Sequence, residues 1–213
     1  LAYFAEFFAW LGQITGNVRD IDVSLLNFEN YQESLPDSCR EDLAPLRPFL
    51  QDKQRLAYQT LAEQLSSSRF KESLTEWGIF LKTPVVKFPV EVSATQAIKE
   101  FADFRLWKLY KQLIKEAKAL KRDSSPAELH GMRKTAKKYR YLLEFFLTLY
   151  PESSIKLLLK SLKTIQMLLG HFQDYEVQQL ALKRYSLEMH TIPVPIETLL
   201  AMELLIQDLE QKK

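Results

Sequence analysis

Between Leu129 and Phe146 the chain reads LHGMRKTAKKYRYLLEFF, and this stretch constrains the fold more than any other. Leu129, Met132, Ala136, Tyr139, Leu143 and Phe146 recur three and four apart, the period of an α-helix with one buried stripe. At about 100° of turn per residue, His130, Arg133, Lys134, Lys137, Lys138 and Arg140 fall within roughly half of the circumference on the other side. A helix that buries one face and presents a wall of cations on the other is suited to hold an anion. Nucleic acid, a membrane surface, another polyanion or water alone would satisfy such a wall.

The same period runs through nearly the whole chain and predicts an all-α fold. Helices are expected at about 1–14, 20–34, 41–66, 68–82, 94–121, 126–149, 152–190 and 195–211. Ser125-Pro126 with Glu128 forms a helix-start signal, a capping hydroxyl followed by proline at the first turn and an early acid. Breaks are expected at Pro36-Asp37, at 123–126, at Tyr150-Pro151 and at 192–195. Thr83–Val92 carries two prolines and is expected to be an extended connector. With 213 residues and no Gly/Ser-rich linker, the chain is read as a single domain over 1–213. The single cysteine, Cys39, excludes an internal disulfide and fits a reducing, cytoplasmic setting. The apolar stretch 1–11 is too short to span a bilayer and has no basic leader pattern.

The net charge of +2 conceals a segregation. Residues 105–141 hold twelve Lys and Arg against three acids, so the rest of the chain is net acidic. Concentrated charge of this kind favours an electrostatic site over general solubility. The helix before the opening stretch carries Lys108, Lys111, Lys115, Lys118 and Arg122, spaced three and four apart on one face, with Glu116 off that row. Two consecutive helices with basic rows are expected to turn them into one groove. Lys156, Lys160 and Lys163 share a face of the following helix and are candidates to close it. Arg19, Arg55 and Arg69 are second-tier candidates in the first half.

The chain also repeats itself. Thr15-Gly16-Asn17-Val18-Arg19-Asp20-Ile21-Asp22-Val23 aligns with Leu169-Gly170-His171-Phe172-Gln173-Asp174-Tyr175-Glu176-Val177, with the acidic residues read as caps of helix starts after the glycine. Two half-repeats, about 1–92 and 93–213, follow. A basic helix equivalent to 129–146 is then expected upstream of Leu1.

His130-Gly131-Met132-Arg133-Lys134 followed by Lys137-Lys138-Tyr139-Arg140-Tyr141 and Glu144 resembles the H-x-x-R-K-x-x-K-R-x-R-Y-x-x-E signature of CHAD domains, the conserved histidine α-helical domains. Gly16–Val23 resembles that family's L-G-x-x-R-D-x-D-V element, with Thr15 in place of its leucine. Gly170–Val177 resembles the degenerate second copy. The resemblance implies a helical bundle of two pseudo-symmetric four-helix halves meeting at a basic pore or cleft. It implies non-catalytic binding of inorganic polyphosphate by Lys108, Lys111, Lys115, Lys118, His130, Arg133, Lys134, Lys137, Lys138 and Arg140, with no cofactor and no metal. It also implies association with polyphosphate granules or with a triphosphate-tunnel enzyme, and no membrane insertion.

Other readings compete. His130 would serve a phosphotransfer or phosphohydrolase reaction, but acidic metal ligands at suitable spacing are missing. Nucleic acid would bind the same wall, although the aromatic residues follow apolar stripes and do not alternate with the basic ones as stacking platforms do. His171 and His190 lack partners at metal-ligand spacing. Phosphate-binding loops, dinucleotide fingerprints and catalytic triads do not occur.

Overall fold

Ser125 begins its helix as its position before Pro126 requires: its hydroxyl accepts from the Glu128 backbone N–H, and the Glu128 carboxylate accepts from the Ser125 N–H at 2.7 Å. This reciprocal pair satisfies two backbone donors that an open helix end would leave to water. The computed structural model describes residues 2–84 and 97–212. In these residues the regular structure is helical throughout, and the expectation of an all-α fold holds. The helices are α1 (Ala2–Leu26), α2 (Phe28–Glu33), α3 (Leu46–Ser66), α4 (Ser68–Lys82), α5 (Ile98–Ala119), α6 (Pro126–Phe145), α7 (Glu152–Met189) and α8 (Ile196–Gln211). Short 3₁₀ turns at Asp37–Cys39, Glu41–Leu43 and Leu147–Leu149 punctuate them.

One boundary corrects the sequence reading. No break separates residues 14 and 20: α1 runs unbroken through Gly12 and Gly16, and turns only at Asn27. Asp20 and Asp174 therefore lie inside helices and cap nothing. A helix-interior glycine costs about 1 kcal/mol against alanine, which a packed apolar face offsets; Phe7, Val18 and Ile21 of α1 are all buried. Asp22 instead accepts hydrogen bonds from Gln54 Nε2 at 2.6 Å and from the Tyr58 hydroxyl at 3.0 Å. The expected extended connector falls largely outside the described residues.

The described chain divides into two compact units. The first comprises 2–84 with 180–208, the second 97–179 with 209–212. This division cuts across the half-repeats, because the last part of α7 and most of α8 group with the first unit. The first unit packs α1 on α3 through Val18, Ile21 and Ala57, and fully buries Leu43, Leu46, Leu50, Leu182, Tyr185, Met189, Met202 and Leu205. The second is built on one core cluster. Leu106 and Leu113 of α5, Met132, Ala136, Tyr139 and Leu143 of α6, and Ile155 and Leu162 of α7 meet there. These are the apolar stripes that the three- and four-residue period marks out.

A candidate anion-binding surface on the second unit

With Met132, Ala136, Tyr139 and Leu143 turned inward, the cations of α6 are forced to its flanks and outer face. Arg133, Lys137 and Arg140 are half-buried, whereas His130, Lys134 and Lys138 are exposed. The difference follows from helix geometry. His130, Arg133, Lys137 and Arg140 lie within about 80° of one another, while Lys134 and Lys138 lie about 40° and 80° beyond His130, on the opposite side from Arg133 and Arg140.

The neighbour along the His130–Arg140 flank is α7. His130 Nδ1 lies 2.6 Å from Gln173 Oε1, and Gln166 Nε2 donates to the Ala136 carbonyl at 2.9 Å. Between these two ties, Arg133 lies against Gly170, where an added methyl group would meet Arg133 Nη2 at 3.8 Å. The three contacts define an antiparallel register in which residue numbers rise on α6 as they fall on α7. Continued by two turns, the register sets Lys163 level with Arg140. Lys156, Lys163 and Gly170 are seven apart and so nearly in line on α7. The seam is thus basic from both sides, with His130, Arg133, Lys137 and Arg140 on α6 and Lys163 and Lys156 on α7; Lys160 lies beside them.

The electrostatics of the seam are unbalanced. Among the described residues, Arg133, Lys134, Lys137, Lys138, Lys160 and Lys163 have no carboxylate within ion-pairing distance. Lys156 pairs with Glu152 at 2.7 Å. Arg140 Nε is 3.7 Å from Glu144 Oε1, too long for a hydrogen bond, and the guanidinium covers the Tyr141 ring at 4.9 Å. The Nε atoms of both Arg133 and Arg140 are buried and have no hydrogen-bond partner. A buried donor on a charged group is costly to leave unpaired; both residues are only half-buried, so other parts of these side chains remain open to an anion along the seam.

The α5 row does not join this seam. Lys108, Lys111, Lys115 and Lys118 are exposed, on the side of α5 away from Leu106 and Leu113, and Arg122 is exposed in the turn beyond the helix end. Between the row and α6 stands a polar bridge: Thr135 donates to Glu116 Oε1 at 3.0 Å, and Gln112 Nε2 donates to both Glu116 Oε1 at 2.8 Å and Thr135 Oγ1 at 3.2 Å. The expectation of one groove formed by the α5 and α6 rows is therefore corrected. The carboxylate of Glu116 lies between them, and the groove that collects half-buried cations is the one between α6 and α7. In the first unit Arg19 is exposed, Arg55 pairs with Asp52 at 3.0 Å, and Arg69 covers the Trp10 ring at 4.4 Å.

Gln166, Gly170 and Gln173 were not among the expected site residues. The internal repeat did mark Gly170 and Gln173 as positions of interest, but a repeat does not say which neighbour they face. Among the described residues, no group of three His, Cys, Asp or Glu side chains is arranged to hold a metal ion, and no helix is long and apolar enough to cross a membrane.

The family described as the CHAD domain matches residues 2–183. The crystal structure of the CHAD domain from the plant Ricinus communis is similar in fold, with a TM-score of 0.79 and 24% sequence identity, over 99% of this chain and 68% of that one. A comparison with curated proteins gives no match.

Proposed function

The chain belongs to the CHAD domain family, and from that premise we propose that it binds inorganic polyphosphate, without turning it over, along the α6–α7 seam. The observation that carries this reading is the row of half-buried cations Arg133, Lys137 and Arg140 on one flank of α6, where, among the described residues, Arg133 and Lys137 have no carboxylate within ion-pairing distance and Arg140 has Glu144 at 3.7 Å. A linear polyanion presents phosphate oxygens at regular intervals, and Arg133, Lys137 and Arg140 recur at one-turn intervals. Arginine offers forked donors to such oxygens and lysine a mobile point charge. His130, held by Gln173, stands at one end of the row, and Lys163 and Lys160 supply the opposite bank. Lys134 and Lys138 add long-range attraction from the outer face.

Binding of this kind is driven by counterion release. If four of these cations engage phosphates, the logarithm of affinity falls against the logarithm of salt concentration with a slope of about −3. The test is a titration with polyphosphates of graded length at two salt concentrations, on the parent and on the Arg133→Glu/Lys137→Glu pair. Removing two charge-assisted contacts and reversing the charge is expected to weaken binding by at least about a hundredfold. Unchanged affinity in the double variant would sink the assignment of the seam. Equal displacement of polyphosphate by single-stranded RNA at matched charge would make the surface a general polyanion site. Phosphate release on incubation with polyphosphate and a divalent metal would replace binding with catalysis.

A further inference from the structure

On the other flank of α5, away from Glu116, an open pocket of about 570 Å³ lies among α5, α6 and the start of α7. Its walls are Leu106, Trp107, Tyr110, Tyr139, Leu143 and Leu158, and the surface they present is mostly apolar. Its volume is within the range of about 300–1,000 Å³ typical of small-molecule sites. Trp107 is 58% exposed and stacks on Tyr110 with ring centroids 5.4 Å apart, so a large apolar surface stays in contact with water. Asp103, at the edge, is already compensated. Lys99 Nζ reaches both of its oxygens at 2.9 Å and the Tyr150 hydroxyl donates to it at 2.8 Å.

The charge beside the pocket is positive. At about 100° per residue, Lys111 and Lys118 lie within about 40° of Trp107 around α5, whereas Lys108 and Lys115 are about 80–100° away. Lys111 Nζ stands 5.7 Å from the Trp107 ring centroid. Among the described residues, neither Lys111 nor Lys118 is within ion-pairing distance of a carboxylate. The pocket thus offers an apolar seat, an aromatic rim and one uncompensated cation, Lys111, beside that rim, with Lys118 on the same side of α5 two turns further along.

We propose that this pocket is a binding site for an anionic amphiphile, a single acyl or alkyl chain carrying a phosphate or carboxylate head group. The chain occupies the space among Leu106, Leu143 and Leu158, displacing water from apolar walls. The head group emerges past Trp107 onto Lys111, with Lys118 adding longer-range attraction. A cationic head group is disfavoured by the same two lysines, and Asp103, held by Lys99, does not oppose an anionic one. The site is separate from the α6–α7 seam and does not depend on the polyphosphate reading.

The test is calorimetric titration of the intact chain with dodecyl phosphate below its micellar concentration, beside inorganic phosphate and the neutral dodecyl maltoside. Saturable binding of dodecyl phosphate is expected, at least tenfold tighter than either of the others. Leu158→Trp, which fills the pocket from its exposed edge, is expected to abolish it. Lys111→Glu/Lys118→Glu is expected to lower it at least tenfold. The circular dichroism spectrum and denaturant unfolding of Leu158→Trp report that its fold is intact; Trp107→Ala, which removes bulk, supplies a second variant expected to lose affinity. Equal binding of the neutral amphiphile overturns the assignment of the head-group site. Equal binding of inorganic phosphate, or dodecyl phosphate binding untouched in both pocket variants, overturns the pocket itself. Loss of dodecyl phosphate binding in Arg133→Glu/Lys137→Glu would place the ligand on the polyphosphate seam and also overturn it.

Discussion

His130 Nδ1 and Gln173 Oε1 lie 2.6 Å apart although forty-three residues separate them in the chain. With its amide oxygen toward the ring, Gln173 accepts from Nδ1–H and leaves Nε2 facing outward. The contact ties the N-terminal turn of α6 to α7 and orients the histidine at the end of the basic flank. Gln173→Leu removes the acceptor while keeping the bulk. The expected loss of stability is small, about 0.5–1.5 kcal/mol, because the pair is exposed. Polyphosphate affinity is expected to fall severalfold as the ring loses its orientation. Denaturant unfolding and a polyphosphate titration on the same variant check the two effects; affinity unchanged beside a stability loss would make the contact structural only.

Gly170 makes room for Arg133. A single methyl group fits there, since it would meet Arg133 Nη2 at an ordinary contact distance of 3.8 Å. Gly170→Ala is accordingly expected to raise stability by about 0.5–1 kcal/mol through helix propensity, with binding retained. Gly170→Leu is expected to push the guanidinium off the seam and lower polyphosphate affinity about tenfold or more. Equal affinities for the two variants would show that the position of Arg133 over Gly170 does not matter for binding.

The two kinds of cation on α6 are separable. Arg133 and Lys137 are half-buried beside α7, whereas Lys134 and Lys138 are exposed on the outer face. Both double charge reversals change the net charge equally. Arg133→Glu/Lys137→Glu is expected to abolish polyphosphate binding, and Lys134→Glu/Lys138→Glu to weaken it by a smaller factor that disappears at high salt, as screened exposed charges require. Identical losses at every salt concentration would argue for a diffuse field without a defined seam.

Thr135 is 4% exposed and bridges Gln112 and Glu116. Thr135→Val keeps the shape and removes the hydroxyl, leaving the half-buried Glu116 carboxylate short of a donor. The expected cost is about 1–3 kcal/mol, read as a shift of the denaturation midpoint without a change in slope. Adding Glu116→Gln to Thr135→Val is expected to recover part of that cost, because the buried charge is then gone. No recovery in the double variant would mean that the bridge does not carry the loss.

The capping box gives α6 an acid-sensitive start. The Ser125 backbone N–H, and after it the Ser125 hydroxyl, holds the Glu128 carboxyl below its ordinary value of 4.5. Because the folded value lies below the unfolded one, the stabilisation is complete above 4.5 and is lost as pH falls through the folded value. Thermal unfolding of Glu128→Ala and of the parent, followed by circular dichroism, is expected to differ most at neutral pH and to converge in acid. A gap that widens in acid would contradict the sign of the shift.

The helices were legible because each carries its own evidence. The stripe Met132, Ala136, Tyr139 and Leu143 reads as a buried face without knowledge of its neighbours, and Ser125-Pro126 with Glu128 reads as a start. Gly16 does not stop α1. Its cost is a local preference of about 1 kcal/mol, which burial of the α1 face outweighs. The α5 and α6 rows are a different case. Each row follows from its own helical period, but that period does not show that Glu116 and Gln112 stand between the rows.

The amino-acid sequence by itself determined that this chain is helical, which side of each helix is apolar, and that its cations are concentrated on residues 105–140. It determined these because helical period and charge are properties of a single segment. Only the tertiary structure decided that Arg133, Lys137 and Arg140 share a seam with Lys163 while the α5 lysines do not, and that Lys111 stands beside Trp107 at the edge of an apolar pocket. A period sets the angle of a side chain about its own helix axis, whereas the direction in which the next helix lies is set by contacts such as His130–Gln173 and Arg133–Gly170, made between residues far apart in the chain.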